Sequence, residues 1–456
     1  MSDRIYSIPE YCKEIMDMLQ RRGYSVFVAG GAVRDLILGK DPHDYDMASS
    51  ARPEDVIAAA EEEGYRTIIE TGIKHGTVTL LSHGQPIEIT TFRTDGDYED
   101  SRHPTNVEFS QDIEEDVKRR DFTMNALYLD RDGRVRDLVG GVEDIKNGIV
   151  RAVGDPVRRF SEDALRIMRA LRFASVMDLK IDEKTSEAMI LCKDLLRKIS
   201  AERINKEFSD MICGKAAVRV IRENVDVLSV ILPELKEMEG FDQRSDYHDL
   251  DMLEHTLAVL ENIPVDEQTG KRDLILSYAA LLHDIGKPKA FTIDEEGKGH
   301  MKQHERIGYE ITLDLAERMK FSNELKKNVS ELVLLHDEFV EPTREAVHKF
   351  MTEHSPDFIE RLAVLQRADI AAHSPLGRTR IRQLEAIKEI RERLIIDKIP
   401  LSVKDLAISG QDLIKLGFPE GPMIGSVLND IFYEVVSGNL DNNRELLFTF
   451  VSEKYL

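Results

Sequence analysis

The sequence lacks three features that would place the protein in a membrane or outside the cell. Its 456 residues include only three cysteines, widely spaced and odd in number. They fit neither a disulfide framework nor a zinc site, which favours a reducing compartment. No apolar run approaches the ~20 residues of a membrane-spanning helix, and the first residues contain no signal-peptide core. We therefore expect a cytoplasmic protein without membrane contacts.

An overall excess of positive charge is also missing. The formal net charge of −23 argues against indiscriminate binding to nucleic acid. The segment 151–222 is an exception, because it contains 16 Lys and Arg against 11 Asp and Glu. A basic segment inside an acidic chain is where a polyanion would dock. A solvated helical face would have the same composition, so this feature alone leaves both readings open.

The chain is too long for one compact core, and its pattern changes along its length. Up to about residue 150, strand-like runs such as YSVFVAG and PIEITTF alternate with short helical stretches. Beyond about residue 160, helical spacing dominates. We predict a multidomain α+β protein: an α/β head at 1–150, an all-helical neck at 151–240, a further helical domain at 241–380 and a helical tail at 381–456.

The stretch FVAGGAVRDLILGKDPHDYDMAS combines a glycine turn with two carboxylates. Gly30 and Gly31 allow a tight turn before a helix whose N-terminus would bind phosphate, and Arg34 would add a charged fork. In a strand, Asp44 and Asp46 would face the same side. Two such carboxylates repel each other unless a cation lies between them, and oxygen ligands suit Mg²⁺. Taken alone, DYD could also be a solvated strand end.

A third carboxylate would complete a two-metal site for phosphoryl transfer. Glu88 in PIEITTF lies on another predicted strand and is placed to supply it. One ion would activate an attacking hydroxyl, and the other would hold a triphosphate and its leaving group. The front of the chain therefore predicts phosphoryl transfer at these three carboxylates.

Four motifs in order, GGAVRD, DYD, RRDFTMNAL and EDALRIMRALRF, resemble those of class II nucleotidyltransferases. This family comprises CCA-adding tRNA nucleotidyltransferases and bacterial poly(A) polymerases. The resemblance implies a polymerase-beta-like head, Mg²⁺ at Asp44 and Asp46, and transfer from CTP and ATP to tRNA with release of pyrophosphate. Asp137 in DLVGG matches a further motif. The implied nucleotide-binding residues are Gly30, Gly31, Arg34, Asp35, Arg119, Arg120, Asp121, Asn125, Asp163, Arg166, Arg169 and Arg172.

The helix expected over SEDALRIMRALRF contains candidate groups for selecting a base. We expect Ser161 to cap it, and Arg166 to share a face with Asp163. By itself this is a surface ion pair worth under ~1 kcal/mol. A carboxylate accepting from an amino group, beside a guanidinium donating to a ring nitrogen, would accept C and A and reject U and G. The resemblance implies this role for Asp163 and Arg166, with Glu162 in support.

Three segments bear on the choice between CCA addition and poly(A) synthesis. FRTDGDYEDSRHPTNVEF is long, polar and strand-poor, and it resembles the flexible loop of family members that add the terminal A. The mildly acidic end SGNLDNNRELLFTFVSEKYL differs from the basic extension of poly(A) polymerases, and the preceding LAISGQDLIKLGFPEGPMIGSVLNDIF resembles a tRNA-binding tail. Poly(A) polymerase stays the alternative, and the sequence does not indicate the oligomeric state.

A second set of ionisable residues lies in the helical half, in LEHTLAVL, YAALLHDIGKP and QRADIAAH. The set is His255, His283, Asp284 and Asp369. On separate helices these side chains could converge on one divalent ion, Mg²⁺ or a transition metal. Their order resembles the HD phosphohydrolase superfamily, which implies hydrolysis of phosphate or 2′,3′-cyclic phosphate at damaged RNA ends. His304 and His336 could bind a second ion, and Lys287 could contact phosphate. The alternatives are an HD domain that is only a scaffold, and a hydrolase whose transferase head is inactive.

Overall fold

The structure is a computed structural model. It describes residues 4–69, 72–73, 76–95, 107–244, 249–374 and 381–456. Across those residues, no helix is long and apolar enough to cross a membrane. The chain divides into two compact units, Met1–Lys236 with Glu267–Lys271, and Glu237–Asp266 with Arg272–Leu456. The expected four domains are a finer division, which stays a prediction.

The front of the first unit contains a seven-stranded sheet in the order β3-β4-β5-β2-β1-β8-β9. The strands of this region are β1 Val26–Ala29, β2 Met47–Ser49, β3 Ile68–Ile69, β4 Thr77–Ser82, β5 Gln85–Thr91, β6 Arg93–Asp95, β7 Val107–Phe109, β8 Leu127–Leu129 and β9 Val135–Asp137. β2 and β5 are parallel, and the other neighbours in the sheet are antiparallel.

The sheet has a buried, aromatic face that fixes its central strands. All four residues of β1 are buried, as expected for a strand rich in Val and Phe at the centre of a sheet. The ring of Phe27 lies 6.3 Å from Phe92 and 6.1 Å from Tyr128. This packing holds β1 rigidly, so the end of β1 is a firm support for the turn at Gly30.

The prediction that segment 92–109 is strand-poor is partly wrong. Its ends form the antiparallel pair β6 and β7. Residues 96–106, where the flexible loop was expected, lie outside the described residues.

The helices of the first unit precede, alternate with and follow the strands of the sheet. They are α1 Glu10–Arg21, α2 Gly31–Ile37, α3 Pro53–Glu62, α4 Ile113–Lys118, α5 Gly141–Asn147, α6 Pro156–Glu162, α7 Leu165–Met177, α8 Glu183–Cys192, α9 Ala201–Cys213, α10 Ala217–Glu223, α11 Val225–Leu228 and, at the unit boundary, α12 Glu234–Met238. The neck is not entirely helical, because β10 Ile149–Val150 and β11 Lys180–Ile181 form a short parallel pair.

The prediction of one helix starting at Ser161 is wrong. α6 ends at Glu162, Asp163 is extended with φ −139° and ψ 102°, and α7 begins at Leu165. The carboxylate of Asp163 accepts the Leu165 N–H at 3.1 Å. A short carboxylate side chain competes in this way with the helical hydrogen bonds of the backbone. The break turns Asp163 out of the helix and into a cavity described below.

The second unit is largely helical. Its helices are α13 Met252–Asn262, α14 Leu274–Leu282, α15 Lys287–Ala290, α16 His304–Arg318, α17 Asn323–Leu335, α18 Arg344–His354, α19 Pro356–Ala372, α20 Ile381–Ile396, α21 Gly410–Lys415, α22 Pro422–Val436 and α23 Arg444–Tyr455. A hairpin of β12 Thr292–Ile293 and β13 Gly299–His300 interrupts them. α13, α14, α16, α17 and α19 pack on one another, and α21–α23 share a separate apolar core around Leu413 and Ile431.

Candidate active site

A cavity of about 580 Å³ lies in the first unit beside the ends of β1 and β2. Most of the predicted transferase residues line it. They are Gly30, Gly31, Arg34, Asp46, Glu88, Arg119, Arg120, Asp121, Asn125, Asp163, Arg166 and Arg169. Asp44, Asp35 and Arg172 do not line it. The cavity therefore brings together residues that are up to 139 positions apart in the sequence, from Gly30 to Arg169.

The carboxylates sit where β1, β2 and β5 run side by side. The prediction that DYD lies inside a strand is wrong, because the tripeptide directly precedes β2. The Ala29 N–H donates to the Asp46 carbonyl at 2.9 Å, which extends the β1–β2 ladder by one residue. β5 pairs with β2 so that Ile89 is opposite Met47. Glu88 therefore occupies the position next to Asp46, as expected for a third carboxylate.

Asp46 is held in a strongly negative setting, although its side chain reaches solvent. Burial, followed by the charges of Asp44 and Glu88, raises the pKa of Asp46 to about 6, while Arg120 acts in the opposite direction. The raised pKa means that burial and the two neighbouring carboxylates disfavour the charge of Asp46 in the protein alone. Oxygen donors in such a cluster fit Mg²⁺, which would supply the compensating positive charge.

The glycine turn is constrained by its neighbours. Gly30 has φ +75°, and a Cβ added there would lie 3.3 Å from Nη1 of Arg120. The Gly30 N–H donates to the Leu127 carbonyl at 3.0 Å, so it does not face phosphate as the sequence suggested. Gly31 is the first residue of α2, and the N–H of such a residue has no partner within its helix. Of the two glycines, Gly31 is the one whose N–H stays a candidate for the predicted phosphate contact.

Two arginines at the cavity are fixed by a buried carboxylate that the sequence analysis missed. Asp116 lies 2.6 Å from Arg119 and 3.1 Å from Arg120, and it accepts the Tyr128 hydroxyl at 2.7 Å. Burial raises the pKa of Asp116, but the charges of both arginines outweigh burial and lower it. The signal in the sequence is the spacing, because a carboxylate three and four residues before an Arg-Arg pair shares its helical face.

Arg34 is positioned by polar neighbours rather than left in solvent. Its Nη1 donates to Asn125 Oδ1 at 2.8 Å, and its Nε donates to Asp35 Oδ1 at 2.9 Å. Asp35, predicted to bind nucleotide, thus touches Arg34 instead of the cavity. A guanidinium that is already held in place loses less side-chain entropy when it binds an anion.

The two predicted base-reading residues both line the cavity, but they do not pair as expected. Arg166 is buried, and it donates to Glu162 Oε2 at 3.1 Å and to the Arg159 and Arg119 carbonyls at 3.0 and 2.9 Å. The break between α6 and α7 separates it from Asp163. Asp163 Oδ2 instead accepts from Nη2 of Arg203, on α9, at 3.3 Å. Arg203 also lines the cavity, and the sequence analysis missed it.

Arg169 and Arg172 have different surroundings. Arg169 donates to a single oxygen of Asp121, Oδ2, through Nε at 2.9 Å and Nη2 at 2.7 Å, on the cavity wall. Burial raises the pKa of Asp121, but the charge of Arg169 outweighs it and lowers the value. Arg172 pairs with Glu207 and lies 4.2 Å above the ring of Phe173. This geometry supports a packing role for Arg172, away from the predicted phosphate contact.

Comparison with known proteins covers nearly the whole chain. Residues 26–151 match the family model for the poly(A) polymerase head domain, 178–239 the RNA- and SrmB-binding site of polymerase A, and 313–451 tRNA nucleotidyltransferase domain 2. The CCA-adding enzyme of Leuconostoc mesenteroides is 34% identical over 446 residues, which are 96% of this chain and 95% of the relative. That of Enterococcus faecalis is 32% identical over 458 residues, covering 99% and 98%.

The chain belongs to the CCA-adding enzyme family. CCA-adding enzymes are nucleotidyltransferases, so the transferase interpretation of the head is confirmed. The solved CCA-adding enzyme of Bacillus stearothermophilus, in complex with CTP, has a TM-score of 0.67 at 27% identity, over 98% of both chains. That of Thermotoga maritima, in complex with tRNA, has a TM-score of 0.58 at 20% identity over 99% of both chains, and shares the fold. The predicted fold class, a nucleotidyltransferase head followed by a largely helical region, is confirmed as well.

The second unit of this CCA-adding enzyme family member contains a buried cluster of histidines and aspartates. All six residues predicted for the HD site are in it: His255, His283, Asp284, His304, His336 and Asp369. Asp284 is central. Its Oδ2 lies 3.1 Å from His283 and 3.6 Å from His255, whereas its Oδ1 lies 3.4 Å from His304 and 3.5 Å from His336.

The orientation of the histidines suits metal binding. Nδ1 of His283, His304 and His336 each lies 2.7–2.9 Å from a backbone carbonyl three residues earlier. A carbonyl can only accept, so each Nδ1 has the proton, and in the neutral ring each Nε2 presents a lone pair to the cluster. His283 Nε2 is buried without a hydrogen bond of acceptable geometry. A donor set of imidazoles and carboxylates fits a divalent transition metal.

The charges of the cluster are consistent with this view. Burial raises the pKa of Asp284, but the charges of His283 and Lys287 outweigh it and lower that pKa well below its usual range. Burial lowers the pKa of His336, but the Asp284 hydrogen bond and the charge of Asp337 prevail and raise it to about 9. Without an ion, His336 Nε2 is therefore protonated and can donate to His304 Nε2, 3.2 Å away. An ion bound by His336 has to displace this proton. Lys287 Nζ lies 2.6 Å from Asp284 Oδ2 and donates to Gln243 at 2.9 Å. The carboxylates thus stay ionised, as metal ligands must.

Proposed function

We propose that this chain builds or repairs the 3′-terminal CCA of tRNA from CTP and ATP, with release of pyrophosphate. One observation carries the proposal: a single cavity contains the carboxylates Asp46 and Glu88 together with the base-reading candidates Asp163 and Arg166. A protein that only bound RNA would not need paired carboxylates. The relatives solved with CTP and with tRNA lend support, because they have the same fold.

The arginines of the cavity would hold the triphosphate. Seven arginines and four carboxylates line it, so positive groups are in excess. Guanidinium groups bind phosphate through paired, charge-assisted hydrogen bonds. Arg34, Arg119 and Arg120 are each fixed by a neighbouring carboxylate or amide, which orients them before the nucleotide arrives.

Asp44 and Asp46, with Glu88, would hold Mg²⁺ at the mouth of the same cavity. When bound, the ion supplies positive charge that stabilises the phosphates and the attacking hydroxyl. The chain's own contribution is the β-ladder, which fixes the Asp46 backbone beside Ala29 and places Glu88 alongside. The RNA 3′-hydroxyl would attack the α-phosphate of the nucleotide held there, and pyrophosphate would leave.

Selection of C and A would depend on Asp163 and Arg166. Asp163 is oriented by Arg203 and by the Leu165 N–H, so its carboxylate can accept from an exocyclic amino group. Arg166 makes three hydrogen bonds to the protein, and its remaining N–H groups can donate to a ring nitrogen. Uracil and guanine present a carbonyl and an N–H in these positions, and both would be repelled.

The direct test is incubation with tRNAs that lack all or part of CCA, with CTP and ATP supplied separately and together. We expect two cytidines and one adenosine to be added, and no longer products. Asp46→Ala should abolish incorporation, whereas Asp132→Ala, on an exposed turn of the same unit, should leave it unchanged. A long homopolymer of A would instead identify a poly(A) polymerase, and no incorporation would leave only a hydrolase.

A second candidate function, hydrolysis of phosphate esters at RNA ends, is favoured by the buried cluster in the second unit. We propose that His255, His283, Asp284 and Asp369 hold a divalent ion there, and that His304 and His336 hold another through the second Asp284 oxygen. When bound, such ions supply an activated water. Lys287, beside Asp284, would bind the phosphate.

Two reactions test this second function: release of phosphate from RNA ending in 3′-phosphate, and opening of a 2′,3′-cyclic phosphate to a phosphomonoester. His283→Ala should abolish hydrolysis and leave CCA addition intact, because the two sites use different residues. The exposed His300→Ala is a matched control. Wild-type protein that binds divalent ions yet hydrolyses neither end would show that the domain is a scaffold.

We also place the protein in the cytoplasm. All three cysteines lie in the described part of the chain, and none forms a disulfide. Buried thiols of this kind fit a reducing compartment.

A further inference from the structure

A seventh side chain, His373, lies against the metal-binding cluster of the second unit. It directly follows α19 and lies four residues after Asp369, so both side chains are on the same helical face. Its Nε2 lies 3.4 Å from Asp369 Oδ1. Its ring is nearly parallel to that of His255, with an interplanar angle of 12° and centroids 5.4 Å apart. His373 is not one of the six residues that were predicted from the sequence for the HD site.

His373 belongs to a set of potential ligands that overlaps the expected one. Ligand atoms of His255, Asp369 and His373 all lie within 4.8 Å of one another, and so do those of His255, His283 and Asp284. Nε2 of His255 faces the carboxylates of both sets, at 3.0 Å from Asp369 and 3.6 Å from Asp284. The two sets therefore share one imidazole nitrogen.

The shared nitrogen decides how many ions the two sets can hold. An imidazole nitrogen has one lone pair and binds one metal ion, whereas the two oxygens of a carboxylate can bind two. His255 Nε2 cannot bridge two ions, so both sets converge on the same ion. Asp284 can bridge, because its other oxygen faces His304 and His336. The boundary between the sites of the two ions therefore lies at Asp284, whose two oxygens can bind different ions, and not at His255.

We propose that His373 is a fifth protein ligand of the ion held by His255, His283, Asp284 and Asp369. This inference rests on the proposed metal site of the second unit. Five protein donors, three of them imidazoles, leave one position of an octahedron for water or a phosphate oxygen. Such a set suits Mn²⁺, Fe²⁺, Co²⁺ or Ni²⁺ and disfavours Zn²⁺, which prefers four tetrahedral ligands. His373 is also the more solvent-exposed of the three histidines, with 19% of its side chain accessible against 1% for the others, so it closes the site on its outer side.

The alternative role for His373 is to orient Asp369 through a hydrogen bond. His373→Gln distinguishes the two roles, because the amide can still donate to Asp369 but is a poor metal ligand. His373→Ala removes both interactions. His300→Ala, in the exposed hairpin of the same unit, controls for adventitious binding by surface histidines.

The experiment uses the full chain, stripped with a chelator and titrated with Co²⁺, whose visible absorption reports its ligands. We expect the wild type and His300→Ala to give the same spectrum. Both His373 variants should bind one Co²⁺ at least about 10-fold more weakly, with altered absorption, while the other ion is unaffected. Circular dichroism before titration confirms folding of each variant.

The outcomes separate this inference from the function on which it rests. If His373→Gln keeps the wild-type spectrum and affinity, His373 only orients Asp369 and the inference is overturned. Hydrolysis by the wild type would still stand in that case. If the variants lose Co²⁺ as expected while the wild type hydrolyses no RNA end, His373 is a ligand in a non-catalytic site. A wild type that binds no Co²⁺ refutes both.

Discussion

Neutralising Asp46 should make the protein inactive and at the same time more stable when Mg²⁺ is absent. The carboxylates of Asp44, Asp46 and Glu88 crowd the end of the sheet, and burial together with this repulsion raises the pKa of Asp46 to about 6 from 3.8. Asp46→Asn has the same shape as protonated aspartate. It therefore removes the charge without creating a cavity.

The magnitude follows from the shift in pKa. One unit corresponds to ~1.4 kcal/mol, so a shift from 3.8 to about 6 has an upper bound of roughly 3 kcal/mol. Asp46 is exposed to solvent, and screening reduces this to about 1 kcal/mol. For a unit of this size, about 1 kcal/mol raises Tm by roughly 2–4 °C. Incorporation should fall by two to three orders of magnitude or more, as when a group that stabilises developing charge is lost.

The sign depends on pH in a defined way. The folded-state pKa of Asp46 is raised, so between pH 3.8 and about 6 the folded state keeps a proton that the unfolded chain has lost. The unfolding free energy of the wild type therefore falls as the pH rises through this window. Asp46→Asn should gain little below pH 3.8, roughly half of its benefit at pH 5 and the full benefit at pH 7.5.

Thermal melting in chelator at pH 5 and pH 7.5, followed by addition of Mg²⁺, measures these effects. Mg²⁺ should raise the Tm of the wild type clearly and that of Asp46→Asn little. Asp132→Asn, the same chemical change on an exposed turn, should behave as the wild type. The reasoning is refuted if Asp46→Asn gains equally at both pH values, or if Mg²⁺ stabilises it as much as the wild type.

Two further substitutions probe the same cavity. Arg203→Gln removes the hydrogen bond that orients Asp163. We expect the preference for CTP and ATP over UTP and GTP to fall about 10-fold, while inhibition by pyrophosphate is unchanged. Competition between labelled nucleotides measures this preference. Gly30→Ala should weaken nucleotide binding and lower Tm, because φ is +75° and the new Cβ would press on Arg120. Gly23→Ala is the control, because φ is +84° there but no atom lies within 4 Å of the added Cβ. If the two variants weaken nucleotide binding equally, the contact with Arg120 is not the cause.

The parts of the site that could be predicted are those encoded locally. The glycine turn and DYD are close in sequence, and the alternation of strand residues is enough to suggest Glu88 beside them. The grouping of the six His and Asp residues of the second unit was predictable for a related reason, since each follows or lies on a helix. Asp137 shows the limit of a motif: its carboxylate accepts the N–H groups of residues 139–142 and caps α5.

The parts that could not be predicted depend on partners distant in sequence. Arg203 and Asp163 are 40 residues apart, and no pattern in either segment indicates the other. The break at Asp163 was missed because SEDALRIMRALRF has good helical spacing throughout. The hydrogen bond from the Leu165 N–H and the contact to Arg203 both stabilise the extended conformation of Asp163.

With the roles proposed for Arg166 and Arg119, the break between α6 and α7 would also link base selection to the triphosphate. Nη2 of Arg166 donates to the Arg119 carbonyl, and the Arg119 guanidinium is fixed by Asp116. A displacement of Arg166 by an unsuitable base would therefore be transmitted through one hydrogen bond to an arginine of the triphosphate cavity. In a packed, buried network every contact of Arg166 opposes such a shift. A mismatched base would then be disfavoured by the strain at Arg166, as well as by the hydrogen bonds that the base itself fails to make. On this proposal, the groups that read the base and the groups that hold the phosphates are joined by hydrogen bonds, and C and A are distinguished from U and G without a template.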